Sequence, residues 1–123
     1  MRKAEFGSPG PLRDQLVAAI LAGTKVTTTG LLAEYEQAGE PLPEPGERWL
    51  LVDSDDVTIG MIEILEVTCL RLADVDLRHA VDEGEGYTTV AQWRSAHEQF
   101  WNGGDMDDDT MVVAERFRLV DKI

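Results

Sequence analysis

The stretch Leu21-Ala22-Gly23-Thr24-Lys25-Val26-Thr27-Thr28-Thr29-Gly30-Leu31-Leu32 sets one lysine among four threonine hydroxyls, just where a helix should end. Upstream of it Leu12, Leu16, Val17, Ile20 and Leu21 recur at helical spacing. Gly23 stands where a helix C-terminus favours a residue that tolerates positive φ. The lysine therefore leaves the helix at a turn. Thr27, Thr28 and Thr29 are β-branched and favour extended backbone, so successive hydroxyls alternate between the side that Lys25 takes and the opposite one. The same residues read equally well as an ordinary helix-to-strand connection with solvated threonines.

Working outward, the first seven or so residues read as a frayed start. Ser8-Pro9-Gly10-Pro11 then announces a helix running to about Ala22. Residues 31–37 form a second, short helix ended by Ala38-Gly39, and Pro41, Pro43, Pro45 and Gly46 impose an irregular surface connection. Arg48-Trp49-Leu50-Leu51-Val52 is a strand, Asp53-Ser54-Asp55-Asp56 a turn, and residues 57–70 the returning strand of a hairpin. In that second strand alternation puts Met61, Glu63, Leu65 and Val67 on one face, with Ile62, Ile64, Glu66 and Thr68 on the other. Glu63 is thus an acid on a largely apolar face, either exposed at the rim or hydrogen-bonded within. A helical turn over residues 74–80 leads into the acidic loop Asp82-Glu83-Gly84-Glu85-Gly86. Thr88 caps a helix through Asn102 whose apolar face includes Trp93, His97 and Phe100, with His97 packed and hydrogen-bonded. Four aspartates between residues 105 and 109 make a turn before a last strand over residues 110–120.

At 123 residues the chain suits one domain. It has no apolar run near the ~20 residues of a membrane helix and no secretory signal, so a soluble cytoplasmic protein is expected. Cys69 is the only cysteine and lies in an apolar run, which suggests a buried structural thiol and excludes an internal disulfide. Twenty-four acidic against eleven basic residues give a formal charge of -13, which repels a phosphate backbone unless a basic patch compensates. The arginines are scattered singly, and only Arg2-Lys3 form a basic pair. Extended binding of nucleic acid is therefore disfavoured, whereas a single nucleoside or a cationic ligand suffers little from that field. The acidic turns lack the glycine and glutamate spacing of a calcium loop and any adjacent histidine or cysteine, so no metal and no cofactor is expected. The sequence sets no oligomeric state.

Gly23-x-Lys25-x-Thr27-Thr28 followed by Leu31-Leu32-Ala33-Glu34-Tyr35-Glu36 resembles the signature loop of the ASCH domain family. The likeness extends through Phe6-Gly7, Gly39-Glu40-Pro41-Leu42-Pro43 with Gly46-Glu47, Ile62-Glu63-Ile64, Glu83-Gly84-Glu85-Gly86, Trp93-Arg94-x-x-His97 and Glu115-Arg116-Phe117, in the order the family has them. It covers nearly the whole chain, 1–123, as one domain. Thr24 and Val26 stand where the family loop usually carries arginine and threonine, which removes a cation and a hydroxyl. The resemblance implies an α+β fold, a small PUA-like β-barrel with helices packed around it.

A lysine acts as a general base only when burial or a neighbouring cation lowers its pKa from ~10.4 toward neutrality. It can then take the proton of a threonine hydroxyl and make a nucleophile, while a carboxyl protonates the leaving amine. Some ASCH proteins are similar in carrying this set and hydrolyse N4-acylated cytidine. The resemblance implies Lys25 and Thr28 for the lysine and threonine and Glu85 for the carboxyl, with Glu83 as the alternative. Thr27, Tyr35, Glu63, Trp93 and Arg116, all in matched motifs, are the expected substrate contacts, with Tyr35 or Trp93 stacking on a base. Other members resemble metal-dependent ribonucleases acting on single-stranded RNA, a partner the charge disfavours. The competing class is a non-catalytic module that binds a nucleoside or RNA with the same residues.

Overall fold

The computed structural model describes residues 1–101 and 106–123. Its elements are β1 (Lys3–Ala4), α1 (Pro11–Ala22), β2 (Thr27–Leu31), α2 (Leu32–Ala38), β3 (Arg48–Val52), β4 (Thr58–Arg71), a 3-10 turn (Leu72–Asp74), α3 (Leu77–Asp82), α4 (Val90–Phe100) and β5 (Met111–Lys122). The five strands form one mixed sheet in the order β1-β3-β4-β5-β2, with β1 parallel to β3 and every other pair antiparallel. The fold is α+β, as the resemblance implies. Among the described residues no helix is long and apolar enough to cross a membrane.

The sheet is not a closed barrel. β1 has only two residues, too few to pair along β2, so the sheet keeps two edges. Between them lies a cavity, whose wall passes from Ala4, Glu5 and Phe6 to Thr28, Thr29 and Gly30, with Leu12 and Leu16 of α1 across it. The N-terminal segment is ordered rather than frayed. Lys3 and Ala4 pair with Leu50 and Leu51, and the buried Arg13 of α1 donates to the carbonyls of Phe6, Gly7 and Asp53.

The hairpin forms as its composition suggests. Asp53 accepts from the amides of Asp55 and Val57 through Oδ1, and Asp56 takes φ 61°, a backbone that aspartate tolerates better than most residues. β4 does not keep its simple alternation. Its register with β5 passes from Ile64↔Phe117 to Glu66↔Arg116, leaving Leu65 without a partner, and β5 carries an extra Val120 between Asp121 and Leu119. The bulge at Leu65 reverses the faces beyond it. Ile62 and Ile64 point into the core before it and Val67 packs against that same core after it, while Glu66 and Thr68 turn outward. Cys69, expected to be buried, is exposed.

Two apolar clusters result. Ala4, Val17, Ile20, Leu51, Ile62, Ile64 and Phe117 join α1 to the middle of the sheet. Leu72, Val75, Ala80, Trp93 and Val112 join α3 and α4 to the far end of β4 and β5. α4 is capped by Thr89, whose hydroxyl accepts from the Gln92 amide, and Thr88 donates to the Gln92 side chain instead. The expected end of this helix at Asn102, and the start of the acidic turn at Asp105, lie outside the described residues. Ile20 is 1% exposed at the centre of the α1 contact. Ile20→Ala should lower stability by about 2–5 kcal/mol, read as a fall in urea midpoint with unchanged slope.

Candidate functional site

Gly23 ends α1 at φ 82°, and the amides of Thr24 and Lys25 both bond back to the Ala19 carbonyl. This tight exit turns Lys25 inward, where it is 3% exposed. Its Nζ donates to the carbonyl of Thr27 at 2.9 Å and to that of Glu83 at 3.4 Å, and lies 3.6 Å from Glu83 Oε1. A buried ammonium needs such oxygens, because an unpaired charge in an apolar interior is too costly.

Glu83 follows α3 directly and is 2% exposed. Its position depends on Gly84, which adopts φ 73° and packs against the Lys25 loop: a Cβ there would stand 2.5 Å from the Thr24 carbonyl oxygen. The Val26 amide donates to the Asp82 carbonyl and ties the two segments further. Oε2 of Glu83 accepts from Trp93 Nε1 and from the Thr29 hydroxyl, and Oε1 lies 3.3 Å from His97 Nε2. Since the Thr29 hydroxyl gives its proton to Glu83, it accepts from His79 Nε2 at 2.7 Å, which assigns that proton to Nε2. Burial alone would push the Glu83 carboxyl up, yet the His97 hydrogen bond, the Lys25 charge and the Trp93 N–H hold it at about 2. Burial likewise pulls His97 down, but the same carboxylate outweighs it and leaves the imidazole raised. His79 is lowered, chiefly by burial. The result is one ionised carboxylate clamped by groups from β2, α3, α4 and the Lys25 loop.

This cluster forms part of the wall of a cavity of about 700 Å³, within the size range of small-molecule sites. Lys25, Thr28, Glu85 and Tyr35 all line it. The Tyr35 hydroxyl donates to Glu115 Oε2 at 3.2 Å, and burial raises the Glu85 carboxyl despite the opposing Lys25 charge. Other expected contacts lie elsewhere. Thr27 is fully buried behind the wall, its hydroxyl donating to the His79 carbonyl. Trp93 is also fully buried, so its ring offers no face to a base; it stacks on His97 and donates to Glu83. Glu63 sits on the outer face between its cross-strand neighbours Arg48 and Arg118, at 3.3 and 3.4 Å, so it is not in the cavity mouth. Arg116 points to the opposite side of β5 from Glu115 and pairs with Asp82 at 2.7 Å.

Among the described residues the cavity wall carries Glu5, Glu34, Glu83, Glu85 and Glu115 but no arginine. Such a lining suits a neutral or cationic ligand and opposes a polyanion. Among the described residues no three His, Cys, Asp or Glu side chains are grouped to hold a metal ion. Sequence reasoning missed the joint role of Thr29, His79 and Trp93 and underweighted Glu83. A signal was present: a lysine that enters a core requires a carboxylate partner, and the acidic loop Asp82-Glu83-Gly84-Glu85-Gly86 holds three.

Two outcomes follow from this geometry. The depressed carboxyl contributes stability that is fully present above its ordinary value of 4.5 and is lost as pH falls toward about 2. Glu83→Gln should cost about 3–5 kcal/mol near neutrality, since it strands the Lys25 ammonium, and its deficit relative to wild type should shrink through that acid window in urea titrations. Gly84→Ala should lose at least about 1–3 kcal/mol from its left-handed backbone alone, seen as a lower thermal midpoint.

Over residues 3–121 the sequence matches the family model of the ASCH domain. Among solved structures the chain is similar to an ASCH domain from Lactobacillus crispatus, at 30% identity and a TM-score of 0.77, over 88% of this chain and 72% of that one. It is also similar to a protein from Enterococcus faecalis, at 22% identity and a TM-score of 0.85, over 99% of this chain and 77% of that one. Similarity to ASCH from Zymomonas mobilis is 16% in identity with a TM-score of 0.56, over 87% of this chain and 63% of that one. The last two bear on the fold alone. No curated protein matches the chain significantly. With a family match that spans nearly its whole length, and with the α+β fold that goes with a PUA-like core, this chain belongs to the ASCH domain family.

Proposed function

We propose that this domain is a hydrolase of modified nucleosides that cleaves the exocyclic amide of an N4-acylated cytidine. The observation that carries this reading is one cavity that a buried lysine, a threonine and a carboxyl of raised pKa all line, namely Lys25, Thr28 and Glu85. Lys25, in its amine form, takes the Thr28 hydroxyl proton as Oγ1 attacks the acyl carbon. Glu85, kept protonated more readily by burial, gives its proton to the leaving N4, and water then hydrolyses the acyl-threonine. Glu83 holds Lys25 in place and remains ionised throughout. The arginine-free, acidic wall supports a nucleoside over single-stranded RNA.

One observation favours a second reading. Nζ of Lys25 is already engaged by two carbonyls and the Glu83 carboxylate, as a structural cation would be. In that case the cavity binds a nucleoside without turning it over. The test is release of cytidine from N4-acetylcytidine, followed by chromatography, with labelled single-stranded RNA in parallel. Wild type should release cytidine and leave the RNA intact. Lys25→Ala and Thr28→Ala should each lose at least about 100-fold in rate, and Glu85→Gln about 10²-fold, with folds verified by circular dichroism. No release by a folded wild type that still binds cytidine would refute hydrolysis and leave the binding module.

A further inference from the structure

The cavity holds one more buried acid, for which the amide chemistry has no use. Glu115 is 8% exposed and stands directly across the β2–β5 ladder from Thr28. Directly opposed residues share a face with Cβ atoms about 5 Å apart, so the two side chains are neighbours on the cavity wall. Tyr35 reaches Glu115 because it lies over Gly30, the next residue of β2 on that face. A Cβ on Gly30 would already touch the Tyr35 ring, at 3.4 Å. The hydroxyl of Tyr35 donates to Oε2. Among the described residues Oε1 has no hydrogen-bond partner, yet no fully buried side-chain oxygen or nitrogen lacks one. Oε1 is therefore not fully buried, and it belongs to a side chain that shares the cavity-facing side of the ladder with Thr28.

We infer that Glu115, oriented by Tyr35, is a base-recognition group. It takes a heterocycle that presents a ring-nitrogen acceptor beside an exocyclic N–H, the edge that cytosine offers with N3 and N4. Because Oε2 accepts from Tyr35, the proton of the neutral acid sits on Oε1, facing the ligand. That O–H donates to the ring nitrogen, and the carboxyl oxygen's remaining lone pair accepts from the exocyclic N–H. The inference rests on the nucleoside reading above and deepens it: an edge bound here sets the exocyclic substituent beside Thr28.

The environment favours the neutral acid. Burial pushes the Glu115 carboxyl up to about 7, against the Tyr35 hydrogen bond and the Arg2 charge, with Glu47 adding to the rise. Those are the charged and titratable groups that face it: Tyr35 from α2, Arg2 ahead of β1 and Glu47 ahead of β3. Tyr35 is itself pushed up by burial and by Glu115, so it stays a donor throughout. Cytidine binding should be strongest below neutrality and weaken as pH rises, because only the protonated fraction is competent. The ionised form has two acceptors and suits instead an edge with two N–H groups, such as that of guanine.

The test is calorimetric titration of the intact domain with cytidine, the unreactive product, at pH 6 and pH 8. Wild type should bind about tenfold more weakly at the higher pH, as the competent fraction falls. Glu115→Gln, a permanently neutral donor and acceptor, should retain binding and lose this dependence. His97 also lines the cavity and titrates, so a slope that persists in Glu115→Gln would overturn the inference. So would equal affinity at both pH values, no cytidine binding at pH 6, or tighter binding of guanosine than of cytidine at pH 6. Tyr35→Phe, should Glu115→Gln not fold, must weaken cytidine binding about three- to tenfold, and an unchanged affinity would overturn the assignment. The two proposals fail separately: pH-linked cytidine binding without release from N4-acetylcytidine removes only the hydrolase, and release with a slope that survives Glu115→Gln removes only the recognition group.

Discussion

A single buried carboxylate holds the functional end of this domain together. Glu83 is withdrawn from water, which by itself would favour its neutral form, yet it is ionised because Lys25, His97, Trp93 and Thr29 all turn toward it. Those partners come from three separate parts of the chain: Lys25 from the exit of α1, Trp93 and His97 from α4, and Thr29 from β2. A charge in a low-dielectric interior is tolerable only when fully partnered, so the cluster forms as a unit or is strongly destabilising. It therefore constrains where α3 and α4 can dock. It also keeps Lys25 inside the fold rather than on its surface.

The cavity next to this cluster exists because the sheet does not close. A barrel of this size would be filled by its own side chains. Here β1 stops after two residues, and α1 roofs the gap between the sheet's edges with Leu12 and Leu16. The bulge at Leu65 lets a fourteen-residue β4 serve two apolar clusters in turn, one under α1 and one under α3 and α4. Among the described residues the wall of the space left over is largely apolar but carries five glutamates, and its one lysine is paired with Glu83. Net charge and local lining thus agree, and both point away from polyanions and toward small neutral or cationic ligands.

Much of the frame was legible from local rules. Gly23 and Gly39 end their helices in the left-handed conformation that glycine favours, and Asp53 of the hairpin turn accepts from the turn's own backbone amides. Lys25, Thr28, Glu85 and Tyr35 were read as site candidates and do share one cavity. Other readings failed for nonlocal reasons. Cys69 lies in an apolar run yet is exposed, and Glu63, on a face read as largely apolar, is held on the outer surface by the cross-strand arginines. Trp93 looked like a stacking surface, and burial made it a hydrogen-bond donor instead. Arg116 fell on the wrong side of β5 simply because neighbouring strand residues point to opposite faces.

What the sequence determined by itself is the order of the elements from α1 onward, the ends of α1 and α2, the hairpin, the family and the identity of the lysine loop. All of these depend on contacts between residues close in the chain, or on motifs that keep their order. Which carboxylate meets Lys25, that Glu115 stands opposite Thr28, and that the sheet stays open were decided only by the tertiary structure. Those outcomes depend on strand register, on bulges and on the cost of burying charge, quantities set by residues fifty or more positions apart, such as Lys25 and Glu83. No local pattern encodes them.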